Sequence, residues 1–291
     1  MILYLKRRFL SLVWRLRCRL DPEQTASFRL EDGSRFDYPL KSIVGWCLFT
    51  GRFEVPELKF LRERVRPGST FLDVGANGGL YTVLASGLVG ERGRVFSFEP
   101  GAEQLRLLER NVELNGLRNV TIVRSAVGDR RGEVQLGVSR DGAMSSLART
   151  DHPAQDIVGW QPVEMITLDE FAREAGLDRV DFLKVDVEGA EKLVFGGARG
   201  LLAENPSLVV MFEAADVNAG AFGYSARELL TGLEASGFRV CRLDDEGQPL
   251  PVDASDPRIG TEVYNFVALG PGAKPALGRS AAPRSVSASR A

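Results

Sequence analysis

The sequence predicts an α/β protein: a mostly parallel, seven-stranded sheet with helices on both faces, preceded by a small N-terminal hairpin and helix extension. Three observations carry this expectation. Phe71-Leu72-Asp73-Val74-Gly75-Ala76-Asn77-Gly78-Gly79 reads as a strand entering a glycine loop, Leu80 opens a helix, and Glu99 closes the next strand 20 residues after Gly79. That is one half of a nucleotide-binding sheet, with a carboxylate placed for a ribose. Beyond it, strand-length apolar runs alternate with helix-length runs, the pattern of a parallel sheet covered on both sides. The last two strands have only loop between them, which predicts a hairpin with one reversed edge strand.

In chain order, Phe28 to Phe36 reads as two short strands around the Asp32-Gly33 turn. Glu57 to Val65 reads as a helix stopped by Pro67-Gly68. Strands follow at Thr70 to Val74, Arg94 to Phe98, Val120 to Arg124, Val180 to Val185, Ser207 to Phe212, Phe238 to Cys241 and Val263 to Leu269. Helices separate the first six, at Leu80 to Leu88, Ala102 to Asn115, Leu168 to Ala175, Ala190 to Leu202 and Ala226 to Ser236. An extra strand-like segment, Glu133 to Val138, precedes an irregular insert from Gly142 to Pro162. The expected organisation is a basic amphipathic helix at 1–20, the hairpin and helix extension at 21–68, the α/β domain at 69–270 and a disordered tail at 271–291, too poor in apolar residues to order itself.

Charge is distributed unevenly. The net charge of −2 conceals six basic residues and no acid in residues 1–20 and four basic residues in 271–291, leaving 27 basic against 39 acidic residues in the body, a net of −12. Such a body lacks the basic groove that a nucleic acid partner needs. Cys18, Cys47 and Cys241 are odd in number and lack metal-ligand spacing, so they read as thiols of a reducing, cytoplasmic compartment. In the N-terminal segment charges interrupt every apolar run, which excludes a secretion signal or a membrane span. Ile2, Leu5, Phe9, Leu12, Leu16 and Leu20 fall on one helical stripe beside Trp14 and the arginines. Two readings compete for it, a peripheral helix on the inner face of an anionic membrane or a helix docked on the domain with a charged outer side; behind them stands an organelle transit sequence, which the arginines and lack of acid suit but the single serine does not.

The glycine loop departs from the dinucleotide fingerprint. Counted from Gly75, the second and third glycine positions hold Asn77 and Leu80. Asp73, at the end of the strand, repels a pyrophosphate and suits a ligand that bears an ammonium group. S-adenosylmethionine (SAM) satisfies both ends, with its amino acid part near Asp73 and its ribose hydroxyls on Glu99. Gly75, Ala76, Asn77 and Gly79 allow close backbone approach to the methionine part, and Ser125 and Ala126 fall where the adenine edge would lie. The opposing reading is an ordinary strand-to-helix turn.

Several segments together resemble the FkbM-type family of SAM-dependent methyltransferases, within the class I enzymes built on a Rossmann-like sheet. They are Leu72 to Thr82, Phe98-Glu99-Pro100, Asn111 to Asn115, Ala126 to Asp129 with Gly132, Thr167-Leu168-Asp169, and Leu183-Lys184-Val185-Asp186-Val187-Glu188-Gly189-Ala190-Glu191, across about residues 28 to 269. The resemblance implies methyl transfer from SAM to oxygen, usually a hydroxyl of a sugar, glycolipid or macrolide, so the expected partner is a small-molecule, glycan or lipid-linked acceptor.

For the chemistry, an alcohol is a weak nucleophile and a base assists it. Candidates are Asp186 at the end of the fourth strand, Glu188 just beyond it, Glu213 closing the fifth, and the sole histidine, His152, in the insert where a substrate-covering loop is expected. Glu191 is read as a helix-start acid. Asp186 and Glu188 alone do not make a metal site, and none is expected. The competing functions are an NAD(P)-dependent Rossmann oxidoreductase and a non-catalytic, membrane-associated SAM-binding module.

Overall fold

The computed structural model describes residues 12–273 apart from 22, 23, 31, 52, 141, 254 and 263. The first half of the basic segment and the expected tail from 274 onward lie outside these residues.

Two strands, β1 (Thr25–Arg29) and β2 (Arg35–Pro39), form the expected antiparallel hairpin, with Phe28 opposite Phe36. Helices α1 (Ile43–Thr50) and α2 (Val55–Arg64) follow. Next come β3 (Thr70–Val74), α3 (Leu80–Val89), β4 (Arg94–Phe98), α4 (Ala102–Leu114) and β5 (Val120–Val123). Strands β6 (Ala126–Val127), β7 (Gly132–Ser139) and β8 (Ile157–Ile166) build a separate small sheet in the order β6-β8-β7. The chain continues through α5 (Leu168–Glu174), β9 (Phe182–Val185), α6 (Glu191–Gly196), α7 (Arg199–Glu204), β10 (Val209–Glu213), α8 (Asp216–Ala219) and α9 (Ala226–Ala235). It ends in β11 (Arg239–Leu243), β12 (Pro249–Pro251) and β13 (Asn265–Leu269).

The central sheet runs β12-β11-β13-β10-β9-β3-β4-β5. All seven expected strands are present, and three-residue β12 adds an eighth at one edge. The reversed strand is not at the edge, as the sequence order suggests, but inserted: β13 pairs antiparallel with both β10 and β11. There it satisfies backbone groups on both sides and keeps an apolar run, Phe266 to Leu269, fully buried.

Strand period sets the two cores. Phe71 and Phe182 face one layer, stacked with ring centroids 5.0 Å apart, together with Phe36, Tyr38, Phe60 and Leu84. Leu72, Val74, Leu183 and Val185 face the other, with Phe212 and Leu230. The hairpin and α2 therefore share a core with the sheet. The same period carries Asp73 and Lys184, which are register partners on β3 and β9, onto the Phe71 side. Chain order reverses between β4 and β9 on either side of β3, so the C-terminal end of β3 is the switch point at which open α/β sheets bind ligands.

The predicted helix from Ala190 to Leu202 is two short helices, because Asp169 interrupts the ladder: its N–H donates to the Gly197 carbonyl (2.9 Å) and its carboxylate accepts from Gly200 and Leu201 N–H (2.9 and 2.8 Å) at the start of the second helix. The insert is shorter than expected, since Ile157 to Pro162 belongs to β8. Among the described residues no helix is long and apolar enough to cross a membrane.

Candidate active site

The loop after β3 is held by its own hydrogen bonds. Gly75 and Ala76 N–H both donate to the Phe98 carbonyl (3.0 Å each), Asn77 N–H to Glu99 Oε2 (2.8 Å), Gly78 N–H to Asn77 Oδ1 (2.6 Å) and Gly79 N–H to the Ala76 carbonyl (2.8 Å). Every amide from Gly75 to Gly79 is thus occupied, and no nest of free N–H groups remains for a phosphate. Gly75 is obligatory: its φ is +78°, and a Cβ there would lie 1.8 Å from the Asp186 carbonyl oxygen.

Glu99 is 6 % exposed and accepts one amide on each oxygen, Asn77 on Oε2 and Gly101 on Oε1, both at 2.8 Å. Burial lifts its pKa to about 7 against the pull of those two amides. Each oxygen keeps a lone pair for a hydroxyl. Glu99, Ser125 and Ala126 line one cavity with Gly75, Asn77 and Asp186.

Asp73 lines neither this cavity nor its neighbour. This corrects the expectation that it meets the ligand directly. It is wholly buried beneath the loop, where Oδ2 accepts from Thr82 Oγ1 (2.6 Å) and Oδ1 faces Lys184 Nζ at 3.8 Å. Burial raises its pKa, and Lys184 opposes that rise. Lys184 Nζ also donates to the Gly75 carbonyl (3.2 Å), sits 3.2 Å from Asp186 Oδ2 and lies 4.9 Å from the Tyr81 ring centroid. One lysine therefore ties the strand end, the loop and Asp186 together.

A second cavity adjoins the first, and the two share Gly75, Asn77, Ala143, Asp186 and Glu188. Its walls include Tyr38, Ile43, Val44, Cys47, Phe53 and Tyr81, with Glu54 and Glu213 among the polar groups. Glu188 stands at the junction with φ +54°, a left-handed conformation that costs a non-glycine residue roughly 1–2 kcal/mol. Ser146 Oγ, which donates to its carbonyl (2.7 Å), and Asn218 Nδ2, which donates to Oε2 (2.8 Å), hold it there. Burial first, then the Glu213 charge, raise its pKa well above the usual carboxylate range. Glu213 is raised likewise, by burial and then by Asp186.

Asp186, Glu188 and Glu213 each bring a carboxylate oxygen within 4.8 Å of the others. Weighing Asp186 and Glu188 alone, sequence reasoning expected no metal; the fold adds the third acid, and an all-oxygen set of this kind is one that a hard divalent cation accepts. Glu191 does what a helix-start acid does, accepting from Val187 and Gly189 N–H at 3.1 and 3.2 Å.

His152 is not brought to the site. It lines neither cavity, and its Nδ1 accepts from Ala154 N–H (3.1 Å) within its own turn. The part of the insert that does reach the cavities is the stretch from Gly142 to Leu147. Sequence reasoning missed Glu54, to which Tyr81 Oη donates, and whose pKa burial and then Asp186 push to about 7. The only local signal was an acid just before Val55-Pro56 at a helix start.

Residues 73–240 match the family model described as the methyltransferase FkbM domain. A probable cobalt-precorrin-6B C(15)-methyltransferase (decarboxylating) of Sulfolobus acidocaldarius is 39% identical over 70 residues, 24% of this chain and 36% of that protein. The AMB antimetabolite synthetase AmbE of Pseudomonas aeruginosa is 28% identical over 259 residues, covering 76% of this chain and 12% of the synthetase. The chain thus spans about a third of the length, or less, of these curated relatives. Among solved structures, the FkbM methyltransferase of Methylobacillus flagellatus KT is 16% identical, with 77% of this chain and 52% of that one covered and a TM-score of 0.42.

Proposed function

Because this chain belongs to the FkbM methyltransferase family, we propose that it transfers the methyl group of SAM to a hydroxyl oxygen of a sugar, a glycolipid or glycan, or a polyketide-like acceptor. The observation that carries this reading is the meeting of two cavities at Asp186 and Glu188, one walled by Glu99 and the other by aromatic and apolar side chains. A donor in the first and an acceptor in the second would face each other across carboxylates.

The residues of the first cavity fit SAM. Glu99 presents two carboxylate oxygens for vicinal hydroxyls, and the loop offers no nest of free amides to a pyrophosphate. SAM supplies a methyl group on a sulfonium, a leaving group already activated by its charge. The protein's main task is alignment of acceptor oxygen, methyl carbon and sulfur. Glu188 is our choice for the base: it borders both cavities, Asn218 fixes one of its oxygens, and its raised pKa makes it a stronger proton acceptor than an ordinary carboxylate. Glu213 keeps that pKa high, and Asp186, paired with Lys184, positions the strand end.

The test is to incubate the purified chain with methyl-labelled SAM and cell extract, then to fractionate into lipid, polysaccharide, small-molecule and protein pools. Label in an ether-linked methyl group, with stoichiometric S-adenosylhomocysteine, is the expected result. Label on carbon or nitrogen, or none in any pool, overturns it.

A further inference from the structure

Residues 12–20 are helical and meet the body through one face. Trp14 is 8% exposed and packs edge-on to Trp46, with ring centroids 5.3 Å apart, and against Phe49 at 5.1 Å. Successive helical residues turn by about 100°, so Leu12, Leu16 and Leu20 lie on the side opposite Trp14 and Cys18. These leucines are 65, 56 and 76% exposed. Arg15 and Arg19 flank the stripe on one side and Arg17 on the other, and the stretch contains no acid. A surface helix ordinarily turns its leucines inward; this one docks by its tryptophan and turns them out.

Helix α1, on which Trp14 sits, is unusual in the same way. Its sequence, Ile43-Val44-Gly45-Trp46-Cys47-Leu48-Phe49-Thr50, carries no charge, yet Gly45 alone is buried and Ile43 is 48% exposed. An apolar helix of this kind belongs in a core or against lipid. One side of it bears Trp46 and Phe49 toward Trp14, while Ile43, Val44 and Cys47 line the acceptor cavity. It therefore joins the outward leucine stripe to the cavity rim.

We propose that this end of the molecule rests on an anionic lipid bilayer, and that the acceptor is a membrane lipid or lipid-linked hydroxyl entering along α1. Leu12, Leu16 and Leu20 lie in the boundary between headgroups and acyl chains, with the three arginines on lipid phosphates. Charge complementarity fits this end to an anionic bilayer: the leucine stripe is flanked by Arg15, Arg17 and Arg19 with no acid among residues 12–20, while the body, at net −12, is repelled by the same surface and leaves only this end to meet it. Outside the described residues, Ile2, Leu5, Phe9, Lys6, Arg7 and Arg8 continue the same composition. The acceptor half of the proposal rests on the methyl transfer reading above; the docking half does not.

The experiment uses the full chain, without SAM, sedimented with phosphatidylcholine vesicles and with vesicles that also contain phosphatidylserine. The expected result is binding to the anionic vesicles that weakens with salt. L12S/L16S/L20S reduces it by roughly tenfold per leucine without shifting thermal unfolding, since these side chains stand mostly in solvent. R15E/R19E abolishes the preference for phosphatidylserine. A chain that stays in the supernatant with both vesicles, or a triple leucine variant that pellets like the unaltered chain, overturns the docking. So does a leucine variant that turns a dimer into a monomer while vesicle binding stays unchanged. Labelled SAM is then added to the vesicle-bound chain with the extract pools. Label in the lipid pool is expected; label only in soluble pools overturns the membrane-fed acceptor, and vesicle binding with no label anywhere defeats the methyl transfer reading while leaving the docking intact.

Discussion

Replacing Lys184 by methionine tests whether one buried lysine holds the site together. Methionine fills nearly the same volume, so the substitution removes charge and donors without opening a cavity. Three groups lose a partner: the Gly75 carbonyl at 3.2 Å, Asp186 Oδ2 at 3.2 Å and Asp73 Oδ1 at 3.8 Å. Asp186 is partly open to solvent and recovers hydration, but Asp73 is 0% exposed and keeps hydrogen bonds from Thr82 alone, through its hydroxyl and backbone. Breaking a buried pair by removing one partner costs about 3–5 kcal/mol, and the abandoned Gly75 carbonyl adds about 1–3 kcal/mol. Protonation of Asp73 limits the total, so we expect a loss of about 3–5 kcal/mol near pH 7, or about 10 °C in Tm.

The sign of the pH dependence follows from the same residue. Burial holds the folded-state pKa of Asp73 above its unfolded value, and loss of the lysine charge raises it further. The variant therefore retains its stability at acid pH and loses it as pH rises through the folded pKa, so its deficit relative to the unaltered chain widens with pH. The assay is urea unfolding of the unaltered chain, K184M, D73N and the double variant at several pH values. Because D73N removes the charge that K184M orphans, the double variant should be less destabilised than the sum of the singles by more than about 1 kcal/mol. Strict additivity, or a K184M loss below about 1 kcal/mol, would falsify the pairing.

Three further outcomes follow from the site. Glu99→Ala should weaken SAM binding by about 1.5–3 kcal/mol, the range for hydrogen bonds to a charged group, and Glu99→Gln by less; titration calorimetry showing unchanged affinity would take Glu99 away from the ribose. Gly75→Ala forces a Cβ to within 1.8 Å of the Asp186 carbonyl oxygen, so it should unfold the chain or cost more than about 4 kcal/mol. Gly223→Ala, in the left-handed conformation (φ +74°) but with nothing within 4 Å, is the control and should cost about 1–2 kcal/mol; equal losses in the two variants refute the close-approach argument. With Glu188 as base, Glu188→Gln should lower kcat by roughly a hundredfold to ten-thousandfold. The unaltered enzyme should gain rate as pH rises above the ordinary carboxylate range, because a raised pKa delays formation of the basic anion. Glu213→Gln should move that limb to lower pH by deleting the neighbouring charge, and a limb that stays in place would separate Glu213 from Glu188.

The strands that position the cofactor side were legible because their sequences obey one rule at a time. Thr70–Val74 and Arg94–Phe98 are short apolar runs with a glycine loop and an acid at known offsets, and both appear with the bounds expected. The walls of the second cavity were less legible. Helix α1 is apolar at nearly every position and only eight residues long, so no 3.6-residue alternation marks it. Strand β8 contains Gly159 and Pro162, which argue against a strand; Pro162 is tolerated because two-residue β6 pairs only with Met165 and Ile166 and leaves that flank unpaired. The approach of Glu213 to Asp186 and Glu188, and the arrival of Glu54 beside Tyr81, are tertiary events between elements far apart in the chain. No local pattern encodes them. His152 shows the converse: an imidazole can serve as a base wherever the fold delivers it, but Thr150, Ala154 and Gln155 engage this one only in a turn.

The closed hydrogen bonding of the Gly75 to Gly79 loop bears on redesign. Writing glycine at positions 77 and 80 would complete the G-x-G-x-x-G spelling and still yield no dinucleotide enzyme, because Phe98, Glu99 and Ala76 already claim four of the loop's five amides. To exchange one cofactor for another, an engineer would have to re-route those acceptors and remove Asp73 from beneath the loop. In this protein cofactor choice is written in which amides are spoken for, a property that an alignment of glycines does not see.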